Sequence, residues 1–552
     1  MKRSHTGGVV SGSPAIVVLC TALVSSCSGA PFASRRALEG HAARARLNAD
    51  AFGHYVEQFN ASDPEGKAGF VDNRAAWEWL KGNIPLFECS DKTLEEMYYF
   101  RWWTYRKHIK QTPDGFVITE FLPEVPWAGQ HNTISAAAAH HFYEGRWLRD
   151  RTYLADYAQF WFRRGGAPRL YSFAAADAVR AWSRVTQDQR LAVDLLPDLI
   201  ANYREWEQSH RDPGGLFRQI DDRDGMEHSI GGSGYRPTIN SYMYGDAMAI
   251  SDMATWIWPR RPEVAREFRE KADEIRGLVE SSLWDEAAGF YKTRPNGQDP
   301  LVDVRELVGF VPWYFNLPNP GREAAWKQLT DPQGFQAAYG PTTAERRHPR
   351  FMVAHAHECL WNGPSWPFAT AQTLTAMANL LNNYRQGHVT QHDYLELLRT
   401  YARSQHLKLA NGKVIPFIDE NLHPDTGEWI ARNRLYGMPD AKQTEKGGKD
   451  RGRDYNHSTF NDLIITGLVG LRPRMDHRLE INPLVPDGSL EYFCLDRVRY
   501  HDRDLTILYD RTGSRYGKGR GLRVYADGRE IGSAPALTAL ELDLPTATGG
   551  LA

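Results

Sequence analysis

The chain has 552 residues, 66 basic against 68 acidic side chains, 42% hydrophobic residues, and 17 Trp, 25 Tyr and 23 Phe. Charges spread through an aromatic-rich sequence exclude a disordered or fibrous chain, and a formal net charge of −2 offers no basic surface for phosphate neutralisation, which excludes a nucleic-acid partner. No stretch beyond residue 30 approaches the roughly 20 apolar residues of a membrane-spanning helix.

In chain order, Lys2 and Arg3 precede a weakly apolar run from Val9 to Val24, a basic start and short apolar stretch that predict an export signal over residues 1–26. Val24-Ser25-Ser26-Cys27 is similar to the bacterial lipobox, which implies acylation of Cys27 and a lipid anchor to a membrane; the alternative is ordinary secretion with cleavage near Ala30. The expected location is therefore the periplasm or, as a lipoprotein, the outer membrane. Beyond Cys27 only Cys89, Cys359 and Cys494 remain, too few and too far apart for a disulfide framework or a zinc knuckle.

Residues 27–92 read as an N-terminal lead-in segment. From Thr93 helical periodicity takes over, as in Thr93-Leu94-Glu95-Glu96-Met97-Tyr98-Tyr99, with hydrophobes returning every three or four positions. Similar stretches recur near 132–147, 151–163, 186–209, 240–258, 261–283, 321–328, 363–384, 391–406 and 456–469, joined by Gly-, Pro- and Asp-rich loops. Many helices joined by long aromatic-studded loops predict a closed helical toroid over residues 93–473, and no fixed-length repeat supports a solenoid. After Pro473 apolar and polar residues alternate, with Asp-Gly turn signals at 487–488 and 527–528, so residues 474–546 read as a small β-sandwich module.

Five loops concentrate candidate chemistry. The first runs from Asp221 through Asp222, Asp224 and Glu227 to a Gly-rich stretch with Tyr235 and Arg236, then a helix opening near Asn240. Crowded carboxylates raise one another's pKa, as a general acid near neutral pH requires; the plain alternative is a solvated acidic loop. Asp222-x-Asp224-Gly225 also looks like half a calcium loop, but the remaining ligand positions are missing. The second is Pro416-Phe417-Ile418-Asp419-Glu420-Asn421, a carboxylate after an apolar run and before a turn. In the third, His357-Glu358-Cys359-Leu360-Trp361-Asn362-Gly363-Pro364-Ser365-Trp366, two indoles flank a turn and suit the C–H faces of a sugar. His355, His357 and Cys359 show no fourth partner at a metal-ligand spacing, so neither metal nor cofactor is expected. The fourth loop carries Trp127, Gln130, His131 and Asn132, the fifth Tyr455 and His457. No GxSxG elbow, P-loop or dinucleotide fingerprint is present.

Taken together, these stretches resemble the (α/α)6-barrel glycoside hydrolases of families 63 and 37, which include α-glucosidases, trehalases and mannosylglycerate hydrolases. Glu420-Asn421-Leu422-His423-Pro424-Asp425-Thr426-Gly427 is similar to their E-N/K-Y-x-P-x-T-G stretch, and Trp361-Asn362-Gly363-Pro364-Ser365-Trp366-Pro367 to their W-R-G-P-x-W-P loop. Gly225-Met226-Glu227-His228-Ser229 falls where the group has S-G-x-D-N-S. The resemblance implies an all-α (α/α)6 toroid with Glu227 as general acid, Glu420 as general base, and Trp127, Gln130, His131, Asn132, Tyr235, Arg236, Asn240, Trp361, Asn362, Trp366, Tyr455 and His457 around an oligosaccharide or glycoside. Two departures stand out: Glu227 is one methylene longer than the group's Asp, and Asn362 replaces its Arg.

Two carboxylates are what glycosidic cleavage needs, one to protonate the departing oxygen and one to draw a proton from water; in inverting enzymes they stand roughly 6.5–9.5 Å apart. The expectation is thus an inverting glycosidase of α-linked substrates. Alternatives are a furanosidase of arabinofuranosidase type, a non-catalytic sugar-binding lipoprotein, and a polysaccharide lyase using Tyr455 and His457.

Overall fold

The structure, a computed structural model, describes residues 47–63, 69–256, 260–297 and 299–545. Residues 1–26, expected to form an export signal, Cys27 and the extreme C-terminal tail lie outside the described residues.

Helices begin earlier than the sequence pattern suggests. α1 (Gly53–Ser62) and α2 (Ala76–Asn83) occupy the lead-in segment, and α1 packs on α3 (Lys92–His108). The body continues with α4 (Ser135–Gly145), α5 (Thr152–Arg163), α6 (Ala175–Thr186), α7 (Gln189–His210), α8 (Pro237–Trp256) and α9 (Pro262–Ser282). After a short turn at Val311–Tyr314 come α10 (Pro367–Asn383) and α11 (Gln391–Ser404). α6 is absent from the periodicity reading, although Arg180 and Arg184 mark one face of it and its other residues are buried. The 321–328 stretch is a 3-10 turn, and the expected helix at 456–469 starts only at Asn461 and loosens into a π-turn over Ile464–Leu468.

Burial separates two kinds of helix. α8 buries residues around its whole circumference, whereas α9 buries only Phe268, Ala272, Ile275 and Val279, the three-and-four spacing of a helix with one wet face. The interior elements contact one another in a cycle: α4 on α6, α6 on α8, α8 on the 311–314 turn, that turn on α10, α10 on the Asn461–Leu463 turn, and that turn back on α4.

Beyond the helices, β2 (Ile109–Thr112) and β3 (Gly115–Ile118) form a hairpin; β6 (Tyr492–Tyr500), β7 (Arg503–Asp510), β8 (Gly521–Ala526) and β9 (Arg529–Ala534) form an antiparallel sheet with β1 (Leu86–Cys89) at its edge, while β4 (Leu471–Arg472), β5 (Arg478–Ile481) and β10 (Leu540–Asp543) form a second. The lead-in segment therefore donates a strand to the C-terminal sheet, a pairing of remote residues that no local pattern signals. Asp527 and Gly528 close the β8–β9 hairpin, both at positive φ, as a two-residue primed turn requires. Cys89, Cys359 and Cys494 are buried and form no disulfide.

Candidate active site

Four loops converge beside the N-terminus of α10. Ser365 pairs in both directions with Leu422 (3.0 and 2.9 Å), and the Trp361 amide donates to the Glu227 carbonyl (3.1 Å). The tryptophan loop is thereby fastened to both acid-bearing loops. Asn421 braces the second: its side chain donates to the Glu358 carbonyl (3.2 Å) and accepts from the Ala431 amide (2.9 Å). The segment 451–458 supplies the fourth wall. Gly452 lets it press on Asp419, whose carboxylate oxygen lies 2.0 Å from where a Cβ would stand, and His141 and His108 bind the carbonyls of Asn456 and Asp454 (both 2.7 Å).

Glu420 is buried, with Arg451 donating to Oε1 (2.6 Å) and Oε2 (3.1 Å) and the Cys359 thiol donating to Oε2 (2.9 Å). These bonds occupy three of the roughly four acceptor positions of a carboxylate, leaving one to receive a proton. Arg451 also pairs with Glu358 (3.1 Å) and stacks on Trp127 (4.9 Å). Glu227 is partly buried. Burial pushes its carboxyl up to about 8, with the charges of Asp222 and Glu420 adding to the rise and its own backbone amide and Arg451 opposing it.

A third carboxyl, Glu120, was not singled out by sequence. It lies just beyond the hairpin strand Gly115–Ile118, and burial pushes it to about 8 against the Tyr455 hydrogen bond, with the charges of Glu420 and Glu227 raising it further. Its Oε1 accepts from the Tyr455 hydroxyl (2.8 Å), which also meets His457 Nδ1. Burial, with His140 and His141 nearby, holds His457 far below the ordinary histidine value, hence neutral.

The aromatic wall is continuous. Trp361 and Trp366 stack at 4.7 Å, Phe368 stands edge-on to Trp361 (5.8 Å) and packs on His457 (4.5 Å), and Phe121 packs on Tyr455 (5.2 Å). Among these buried groups Glu120 Oε2, His457 Nε2, Trp361 Nε1, Asn362 Oδ1 and Asp419 Oδ2 have no internal hydrogen-bond partner. Polar atoms so left cost free energy unless water or a ligand satisfies them.

Of the residues expected at the site, Glu227, Glu420, Trp127, Trp361, Asn362, Trp366, Tyr455 and His457 come together through these contacts. Others are committed elsewhere. Arg236 is fully buried and bonds Asp224 (2.6 Å), Ser229 and the Gly232 carbonyl, so it braces the acid loop instead of facing substrate. Asn240 spends its amide on Phe217 and the Arg236 carbonyl. Asn132 spends its own on Val125, Phe121 and Pro123. Tyr235 bonds Asp212, and Gln130 and His131 bond Asp114 (2.8 and 2.7 Å). A polar residue in a Gly-rich loop signals a hydrogen bond, not its partner; here the partners are backbone and neighbouring acids. Glu120 was findable by the rule that selected Glu420, an acid closing an apolar strand ahead of a turn. Arg451 carries no such signal inside a lysine- and arginine-rich stretch.

A helical body whose loops gather carboxyls and stacked indoles around unsatisfied polar atoms defines a carbohydrate-active enzyme of the glycoside hydrolase class. Residues 130–458 match the family described as the mannosylglycerate hydrolase MGH1-like glycoside hydrolase domain, and residues 471–532 match the C-terminal domain of glycosyl hydrolase family 65. The chain belongs to the MGH1-like glycoside hydrolase family. A solved protein titled sialidase is 44% identical over 91% of this chain with a TM-score of 0.83, and the match spans 45% of that protein's length. A family 78 rhamnosidase of Bacillus sp. GL1 shares the fold at 12% identity and a TM-score of 0.52, over 80% of this chain and 41% of its own. The family 63 mannosylglycerate hydrolase of Thermus thermophilus aligns at 15% identity and a TM-score of 0.43, over 62% of this chain and all of its own.

Proposed function

We propose that the protein is an inverting glycosidase on an (α/α)6 toroid, acting on α-linked oligosaccharides or glycosides. The cycle of interior contacts from α4 round to the Asn461–Leu463 turn supports the toroid. The carrying observation is the unlike setting of two neighbouring carboxyls. Glu227 keeps its proton to about pH 8, while Glu420 carries an ion pair with Arg451. A carboxyl that keeps its proton beside one paired with an arginine suits the acid and base roles. Glu227 protonates the departing oxygen, and Glu420 takes a proton from the attacking water through its one remaining acceptor position. Trp361 and Trp366, stacked on each other and buried, back the sugar site, and Glu120, His457 and Asn362 stand beside it.

The balance of charge favours a neutral glycoside. Arg451, the cation beside the glutamates, is already shared between Glu420 and Glu358, so it has little charge to spare for an acidic sugar. The same argument weighs against the lyase alternative, although Tyr455 and His457 do meet. Export through residues 1–26, with Cys27 acylated, remains part of this proposal.

The test is turnover of aryl α- and β-glycosides, pyranose and furanose, with NMR of the first-formed anomer. Release of sugar with inverted configuration, on α-glycosides only, is expected. Retained configuration overturns the mechanism; hydrolysis of furanosides alone gives the furanosidase alternative; oligosaccharide binding with no product gives the binding-protein alternative.

A further inference from the structure

The two carboxylate oxygens of Glu420 are not equivalent. Oε1 accepts one hydrogen bond, from Arg451 Nε (2.6 Å), while Oε2 accepts two, from Arg451 Nη2 (3.1 Å) and the Cys359 thiol (2.9 Å). Each carboxylate oxygen has about two acceptor positions, so Oε2 is full and Oε1 keeps one open. Building on the glycosidase proposal, we infer that Cys359 is a positioning residue for the base: its thiol closes Oε2 and directs the proton of the attacking water to Oε1. In that step a water O–H bond breaks, its proton goes to Oε1 and its oxygen bonds to the anomeric carbon, while the departing oxygen leaves with the proton of Glu227. The sulfur keeps its hydrogen throughout.

Three observations support this role. The thiol stays a donor, because burial and, after it, the Glu420 charge hold it far above the ordinary cysteine value; a nucleophilic sulfur would need the thiolate. Arg451 Nη2 also donates to the same sulfur (3.3 Å), so guanidinium, thiol and Oε2 close a triangle in which none turns without breaking a bond. Finally, the backbone that carries the thiol is fixed on both sides. The Cys359 amide donates to His357 Nδ1 (3.1 Å), the Glu358 carbonyl accepts from the Asn421 side chain (3.2 Å), and the Trp361 amide holds the Glu227 carbonyl (3.1 Å). The His228 ring packs on His355 and His357 of this loop, with centroids 4.8 and 5.1 Å away. The segment bearing Cys359 is thus anchored to the acid loop and the base loop together, which pre-orients the carboxylate before substrate arrives. Cys89, by contrast, accepts its hydrogen bond, from the Asp91 amide (3.4 Å).

A thiol is a weak donor, and Arg451 supplies the charge. The expected contribution is therefore that of one modest hydrogen bond, ~10-fold in rate, well short of the loss caused by removing the base itself.

The test joins the infrared S–H stretch to the kinetics of Cys359→Ala and Cys359→Ser. The difference between wild type and Cys359→Ser isolates the Cys359 band. It should lie at lower frequency and be more intense than the band of a free thiol, and it should move up in Glu420→Gln, where the charge it meets is gone. On an alkyl glycoside Cys359→Ala should lose ~10-fold in kcat with KM unchanged, and Cys359→Ser, whose hydroxyl can donate from the same place, should recover most of that loss. A band unmoved by Glu420→Gln, a wild-type kcat in Cys359→Ala, or a Cys359→Ser as impaired as Cys359→Ala each overturns the inference, the last being the pattern of a nucleophilic sulfur. The infrared readout needs no substrate: an unmoved band in an active enzyme sinks this role alone, whereas a wild type that hydrolyses no glycoside sinks the glycosidase reading and this role with it.

Discussion

Two regions of the molecule gather charge, and they differ in how it is balanced. Away from the glutamates, a cavity of about 580 Å³ is lined by five arginines and five acids. Arg146 pairs with Asp462 (2.8 Å), Arg180 with Asp177 and Asp252 (2.5 and 2.8 Å), Arg184 with Asp252 (3.1 Å), and Arg474 with Asp476 (2.7 Å). Around Glu420 a single arginine serves Glu420 and Glu358, and Glu120 and Glu227 stay protonated to about pH 8. Matched pairs hold helices and sheet together; unmatched carboxyls store protons.

The largest expected effect breaks that contrast directly. Glu227→Gln and Glu420→Gln should each lower kcat on an alkyl glycoside by ~10²–10⁴-fold, the usual weight of a general acid or base, with the fold intact. Next, Arg451→Met and Arg146→Met each break a buried pair and should each cost about 3 kcal/mol in chemical denaturation. Only Arg451→Met should also lower kcat, by ~100-fold or more on the same scale. Equal kcat in the two variants would erase the distinction between the two regions.

Smaller effects sharpen it. Activity should fall above about pH 8, as Glu227 loses the proton it donates. Glu120 ties stability to pH with a definite sign. A carboxyl near 4.5 in the unfolded chain and about 8 in the folded one binds its proton more tightly when folded, so its contribution is complete below pH 4.5 and is lost as pH rises to 8. Gln carries no such penalty. Glu120→Gln should therefore gain stability over the wild type, by a margin that widens from pH 5 to pH 8 and reaches ~2–4 kcal/mol; a constant margin would show that Glu120 is not the buried protonated group described.

Much of this was legible in the sequence where local pattern carries the physics. The amphipathic outer helices show their stripe, and the Asp527-Gly528 turn needs positive φ whatever surrounds it. Glu420 and the indole pair sit in loops whose order along the chain is their signature. Illegible were the pairing of β1 with β6 and the partners of Arg236 and Asn240. Each depends on residues far apart in the chain, as does the meeting of His228 with His355.

The division of labour between the two glutamates is tested most directly with leaving groups that need no protonation. Glu227→Gln should turn over an α-glycosyl fluoride at close to the wild-type rate while failing on the corresponding alkyl glycoside, and Glu420→Gln should fail on both. Equal losses on fluoride and alkyl glycoside in Glu227→Gln, or wild-type rates on both, would contradict the assignment of Glu227 as the proton donor.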